Sequence, residues 1–400
     1  MIDALAGTAI GLSVLALLHT YVGYPLYLRY RAGRLPPQVP PPQPADWPHV
    51  SVLIAAYNEE RVILEKLRTV FALDYPPARL HVYVGSDCST DGTNGLVAEL
   101  ARQQPALHFY PYRKRRGKPG VLNALAASAF AHRAASPDHY LLLTDANVLL
   151  DESTLKNLAR HLHADPGLAL VDSHLVHTPA AGRGVGESER TYIGREVRIK
   201  HREGRLWQRM IGPFGGCYLL RSDFFEPIPP TALVDDFYLA MRAFERGGGA
   251  INDPSALSYE AVGDSMREEF RRKARISTGN VQNLLRFRRL WWPPTLPLGF
   301  AFFSHKILRW LGPLWLLGLL LGGAVLGVRH PAPGGWVAAL LAVLFVGLPL
   351  ADWALQWLGI RLQPLRAWRY FLLMNVALGV GWWRYATGEQ RGIWTPPARG

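Results

Sequence analysis

The sequence predicts an α/β domain with a mostly parallel sheet, set between apolar helices suited to a membrane. Three observations predict it. From residue 50 to residue 150, short apolar runs alternate with segments of helical period, the pattern of a parallel sheet covered on both faces. Charged residues recur where those runs end or a helix begins: Tyr57-Asn58-Glu59, Asp87, Lys118, Asp145-Ala146-Asn147, Asp235-Asp236 and Arg272-Lys273-Ala274-Arg275. The carboxyl ends of strands are where such sheets place their working residues. Finally, uncharged stretches of about 20 residues, enough to span a bilayer, lie on either side.

The elements follow in order. Ala4 to Leu28 contains no Asp, Glu, Lys or Arg. A cleaved leader would start with basic residues, whereas this segment starts with Asp3 and is followed by Arg29, Arg31 and Arg34. Residues 1–34 therefore read as a retained anchor that leaves the next domain in the cytoplasm. Pro36 to Pro44 stiffens a linker over residues 35–47. The globular domain is assigned to residues 48–292, with strands at Val50–Ala56, His81–Gly85, Leu107–Tyr110 and Tyr140–Thr144. Helices are expected at Glu59–Leu73, Asp91–Arg102, Lys118–His132 and Phe237–Arg246. Residues 298–400 hold an interfacial helix at Phe300–Trp310 and spans at Leu311–Val328 and Trp336–Leu358. Phe371–Trp383 is apolar but short: a fourth span is open, and an interfacial or re-entrant segment that leaves a cytoplasmic tail is favoured, because a full span would put Arg384, Arg391 and Arg399 outside. Asp352 is the one charge in the last span; such a residue points to function, but near the cytoplasmic end a solvated, snorkelling carboxylate fits at least as well.

The 400 residues carry a net charge of +13. Many of the basic residues flank apolar segments, so membrane orientation and anionic lipid explain them better than nucleic acid does. Two cysteines, Cys88 and Cys217, make no disulfide framework and read as small buried residues.

Each charged motif has an ordinary structural reading beside a chemical one. Glu59 and Glu60 suit the start of a helix; Tyr57 and Glu59 could equally flank a base and ribose. Asp87 lies in a Ser/Asp/Gly turn that needs no function, and Asp91 would open the following helix. Lys118, at a helix start, is a solvated turn residue or an anion site. Asp145 and Asn147, one residue apart after a strand, can point two oxygens at Mg²⁺ or Mn²⁺, which suits a diphosphate. Asp235 and Asp236 exceed what capping one helix requires, and such a carboxylate can take a proton from a hydroxyl. Arg272, Lys273 and Arg275 face lipid or stabilise a leaving group.

Taken together in this order, the motifs resemble the membrane-bound family 2 glycosyltransferases of GT-A fold, the group of cellulose, hyaluronan and poly-N-acetylglucosamine synthases. The resemblance runs from about Val50 to the C-terminus. It implies that Tyr57, Glu59, Asp87 and Lys118 hold a uridine diphosphate. Asp145-Ala146-Asn147 looks like the DxD metal motif, with Asn147 in the second place. Asp236 matches the general base of the TED motif, beside Asp235 in the place of its Glu. Phe214-Gly215-Gly216 resembles the loop under the acceptor sugar, where Asp235 also belongs. Arg272 to Ile276 occupies the place of QxxRW, with Ile276 where that motif has Trp. Arg272 and Arg275 are then nucleotide-sugar contacts. Trp394-Thr395 with Arg399 resembles the tail of the shorter members.

The expected protein is thus a multi-pass enzyme of the inner (plasma) membrane with a cytoplasmic catalytic domain. It moves a hexosyl or N-acetylhexosaminyl group from a nucleotide sugar, expected to be UDP-linked, to a membrane-associated glycan. It uses Mg²⁺ or Mn²⁺ and inverts the donor to a β-linkage in cell-surface polysaccharide synthesis. Its partners are the nucleotide sugar, a glycan or lipid-linked acceptor and membrane lipids, with an export or assembly protein left open. Transfer of one sugar to a lipid carrier or glycolipid is the alternative, and a non-catalytic assembly subunit a more distant one.

Overall fold

The computed structural model describes residues 1–178, 186–261, 266–294, 297–360 and 362–388. They fall into two compact units. One comprises Met1–Tyr30 with the helices from Met266 onward; the other runs from Arg31 past the last strand.

The second unit is built on one eight-stranded sheet. Its strands are β1 (His49–Ala56), β2 (Leu80–Asp87), β3 (Leu107–Tyr112), β4 (His139–Thr144), β5 (Val148–Leu150), β6 (Leu168–Thr178), β7 (Cys217–Arg221) and β8 (Gly249–Ala261). Their spatial order is β3-β2-β1-β4-β7-β6-β8-β5. The first four are mutually parallel. β7 runs against both β4 and β6, while β8 is parallel to β6 and antiparallel to β5. The parallel half follows from composition. In β1, Val50, Val52, Leu53 and Ile54 are all buried, a near-continuous apolar run because helices cover both faces. The helix Ile63–Phe71 turns Ile63, Leu67 and Val70 inward at spacings of four and three.

That helix starts four residues later than its sequence suggests. Asn58 has φ +54°, and the Glu59 N–H is taken by Thr93 Oγ1 at 2.8 Å, so residues 59–62 form a turn instead. Asp91 accepts the Thr93 N–H at 3.1 Å, as expected of a residue opening the next helix, Thr93–Gln103.

The first unit is helical. Ile2–Ala32, Gly312–Arg329 and Gly334–Trp357 are long and apolar enough to cross a membrane. The first two pack through small residues. A Cβ on Gly318 would lie 2.5 Å from Ser13 Oγ, and one on Gly322 would lie 2.9 Å from the Ala6 carbonyl. Their far ends meet where Asp3 pairs with Arg329 at 2.5 Å and His330 at 3.2 Å. Phe300–Trp310 is helical with a π turn at Phe303–Ile307, and the helix is interrupted at Leu311. Phe371–Trp383 is not a separate short segment but part of a 24-residue helix, Gln363–Ala386. That helix lies on Met266–Arg286, held by Ser277 Oγ to the Leu378 carbonyl (2.8 Å) and Thr278 Oγ1 to the Gly381 carbonyl (3.1 Å). Asp352 does not snorkel into solvent. It is 1% exposed and pairs with Arg369 at 2.7 Å, a partner supplied by the following helix. The tail residues Trp394, Thr395 and Arg399 lie outside the described residues.

Candidate active site

The carboxyl ends of β1, β2 and β4 bring several expected residues together. Asp87 ends β2, nearly buried, and its carboxylate accepts the N–H of Arg116 (2.5 Å), the N–H of Gly117 (3.1 Å) and Arg115 Nε (3.0 Å). One carboxylate thereby folds the basic loop back over the end of β1, where the Arg115 guanidinium lies 3.4 Å from the centre of the Tyr57 ring. Glu59, just beyond Tyr57, is 3% exposed.

Gly117 begins the helix Gly117–His132, which places Lys118 in its first turn. Lys118 Nζ lies 2.8 Å from Asp145 Oδ1 and 3.3 Å from Asp235 Oδ2. Burial opposes the ammonium, but the two carboxylates outweigh it and raise its pKa above the usual lysine value. Asp145 is pushed up by burial, with Lys118 opposing.

The turn carrying Asp145 and Asn147 is anchored from below. The Asp145 N–H and Thr144 Oγ1 both donate to the Gly216 carbonyl, at 3.1 and 2.9 Å. Lys66, fully buried, donates to Thr144 Oγ1 (2.8 Å) and to the Val148 carbonyl, clamping the turn at both ends. Burial brings its pKa down to about 8. Asn147 Nδ2 donates to Glu260 Oε1 at 3.0 Å, which points the amide nitrogen, not its oxygen, at Glu260. Among the described residues no three His, Cys, Asp or Glu side chains form a metal cage. Asp145 and Asn147 nevertheless fit a hard divalent ion that takes its other ligands from phosphate and water.

Asp235 and Asp236 open the helix Asp235–Glu245. Asp235 is buried while Asp236 keeps partial exposure. Burial, and then the neighbouring Asp235 charge, push Asp236 up to about 6; Lys118, the Phe237 N–H and Lys200 oppose the shift. The loop Phe214-Gly215-Gly216 runs close beside it. Gly215 has φ +81°, and a Cβ there would lie 2.7 Å from Asp236 Oδ2. The Phe214 N–H points to both oxygens of Asp172, at 3.3 Å each. Tyr218, on β7, is 1% exposed. Its hydroxyl makes no described hydrogen bond, in the field of Asp235, Asp236, Asp145 and Asp172.

Arg272 and Arg275 belong to the other unit, on the helix Met266–Arg286. Arg272 pairs with the largely buried Glu269 at 2.7 Å, as does Lys273 at 3.3 Å. Five residues beside the site escape the sequence reading: Lys66, Asp172, Lys200, Tyr218 and Glu260. Only Lys66 gives a local signal, as a lysine on the apolar face of an amphipathic helix.

Comparison with known proteins agrees with this architecture. The model of Glycosyl transferase family 2 matches residues 51–226. That of Glycosyl transferase family group 2 matches residues 140–385, more than half of the chain. A probable glycosyltransferase of Bacillus subtilis, YdaM, is 26% identical over 254 residues, covering 60% of this chain and 57% of that protein. A β-monoglucosyldiacylglycerol synthase of Nostoc is 38% identical over 78 residues, 19% of this chain and 17% of that protein. The chain thus matches less than two thirds of the length of either relative. The solved structure of the mannosyltransferase PcManGT from Pyrobaculum calidifontis, in complex with GDP-Man and Mn²⁺, has a TM-score of 0.68. It covers 97% of this chain and 100% of that one at 23% identity, which shows a shared fold. With a family model spanning more than half of its length, the chain belongs to the family 2 glycosyl transferases.

Proposed function

We propose that the chain is an inverting transferase that moves a sugar from a UDP-sugar to a membrane-associated glycan, for cell-surface polysaccharide. The observation that carries this reading is Asp236, a partly exposed carboxylate held against Gly215, with a pKa near 6. It is ionised at neutral pH yet basic enough to accept a proton. The acceptor hydroxyl gives its proton to Asp236 as its oxygen bonds the anomeric carbon. The bond from that carbon to the diphosphate breaks on the opposite face, so an α-linked donor gives a β-linked product.

Tyr57 and Glu59, with the loop that Asp87 folds, hold the nucleoside. Lys118 meets the diphosphate. Phe214, Gly215, Gly216 and Asp235 seat the acceptor. Asp145 and Asn147 would hold Mg²⁺ or Mn²⁺, which neutralises diphosphate charge when bound; the Mn²⁺ in PcManGT supports this. The three apolar helices support a multi-pass protein. Arg29, Arg31, Lys306 and Arg309 flank one end of the first two, and Asp3, Arg329 and His330 the other. That distribution favours a cytoplasmic catalytic domain at the inner membrane.

Transfer of a single sugar to a lipid is the second reading. Ile276 in place of Trp favours it, as does the likeness to the Nostoc synthase. The test is purified full-length protein in nanodiscs with Mn²⁺, offered UDP-glucose, UDP-N-acetylglucosamine and GDP-mannose. Nucleoside diphosphate release with a polymer supports the first reading, and release with a one-sugar lipid supports the second. No release with any donor would sink both.

A further inference from the structure

The helix Gly186–Trp207 is rich in charge, yet Glu196, Lys200 and Glu203 are only 4%, 2% and 0% exposed. Burying an ammonium is costly unless partners surround it, so the position of Lys200 needs a reason. Its Nζ lies 3.9 Å from Asp172 Oδ2 and 3.3 Å from the centre of the Phe214 ring. Asp172, on β6, is fully buried. It takes the Phe214 N–H on both oxygens, and its strand carbonyl accepts Asn252 Nδ2 at 3.4 Å. Phe214 is therefore gripped at its ring by a cation and at its backbone by an anion. The next residue, Gly215, is the one whose added Cβ would meet Asp236.

We propose that Lys200 and Asp172 form a buried pair of positioning residues that holds the Phe214–Gly216 loop against Asp236 and thereby sets how the acceptor meets its base. Neither needs to touch substrate. The pair grips the loop from behind, through Phe214, while Asp236 stays partly exposed in front. An ammonium over an aromatic face is held electrostatically, and the hold strengthens away from water.

The pair also reaches Asp236 through its charge. The groups whose charge acts on Asp236 include Asp235 on its own helix, Lys118, Lys200, Asp172 and Tyr218. Lys200 is a cation among them, and it favours the ionised base. Burial pushes Asp172 up to about 7, with Lys200 opposing. Loss of Lys200 therefore removes the grip on the Phe214 ring and favours protonation of both carboxylates.

This rests on the transferase reading above, and the test separates the two. Full-length Lys200→Met, Lys200→Arg and wild type are compared in nanodiscs with Mn²⁺ and whichever of the three donors the wild type turns over. Acceptor-dependent release is measured with dioleoylglycerol in the disc or with a β-glucan oligosaccharide. Uridine or guanosine diphosphate affinity is measured by calorimetry. The expected result for Lys200→Met is a rise in acceptor KM and a loss of acceptor-dependent rate of roughly tenfold to a hundredfold. Nucleotide affinity stays within about twofold, and the acid limb of the pH–rate profile moves to higher pH. Lys200→Arg, which keeps a cation over the ring, restores most of the rate. An unchanged acceptor KM and pH limb in Lys200→Met would overturn the pair alone. An equal fall in nucleotide affinity and rate, without rescue by Arg, would also overturn it, as general unfolding. No release by wild type would overturn the transferase reading and the pair with it.

Discussion

Gly215 offers the sharpest test of the proposed base. In Gly215→Ala the new methyl would sit 2.7 Å from Asp236 Oδ2 and 3.1 Å from its Cγ, roughly 0.8 Å inside an ordinary contact of ~3.5 Å. The backbone also has φ +81°, a left-handed conformation that costs an L-residue about 1–2 kcal/mol. Gly247→Ala separates the two effects. Gly247 has φ +84° but nothing within 4 Å of its added Cβ, so it carries the strain without the collision. Both variants should lose about 1–2 kcal/mol of stability, seen as similar falls in melting temperature. Only Gly215→Ala displaces the carboxylate, and a shift near 1 Å lowers turnover by about a hundredfold. Nucleotide affinity should hold in both. If Gly215→Ala turned over as fast as Gly247→Ala, the contact between loop and carboxylate would have no part in the chemistry.

The other predictions are shorter. Asp236→Asn should cut transfer by roughly 10²–10⁴-fold while calorimetry shows nucleotide binding intact; near-normal turnover would remove it as the base. Asn147→Ala should raise the Mn²⁺ needed for half-maximal release by roughly tenfold, and an unchanged metal titration would show that Asn147 is no ligand. His139 is 1% exposed, its Nε2 2.9 Å from Ser51 Oγ, and burial lowers its pKa from 6.5 to about 4. Between those values the unfolded chain takes up a proton that the folded chain excludes. Its contribution to stability should therefore fall on acidification, by up to ~1.4 kcal/mol per pH unit, and His139→Asn should flatten that limb of the melting profile.

The parallel half of the sheet was readable because each strand is a short apolar run followed by a helix of clear period. The antiparallel half was not. β5 is only three residues long, and the helix between β6 and β7 hides its buried face behind Glu196, Lys200 and Glu203, which read as solvent-facing. The same division holds at the site. Asp145, Asn147 and Asp236 announce themselves within three-residue motifs. Glu260 reaches Asn147 from 113 positions away, and Asp172 looks like an ordinary interruption of an apolar strand. The sequence leaves Asp352 open for the same reason: its partner, Arg369, lies on a later helix.

In the multi-pass protein proposed above, that last pair bears on how the chain is made. When the helix Leu348–Trp357 emerges from the ribosome, its buried carboxylate has no counter-ion, because Arg369 has not yet been synthesised. An uncompensated acid strongly disfavours release into lipid. The segment should therefore wait beside the insertion machinery until Gln363–Ala386 arrives, and the two should enter together as a hairpin. A ribosome stalled shortly after Trp357 would leave the membrane unit unfinished, however apolar its final helix.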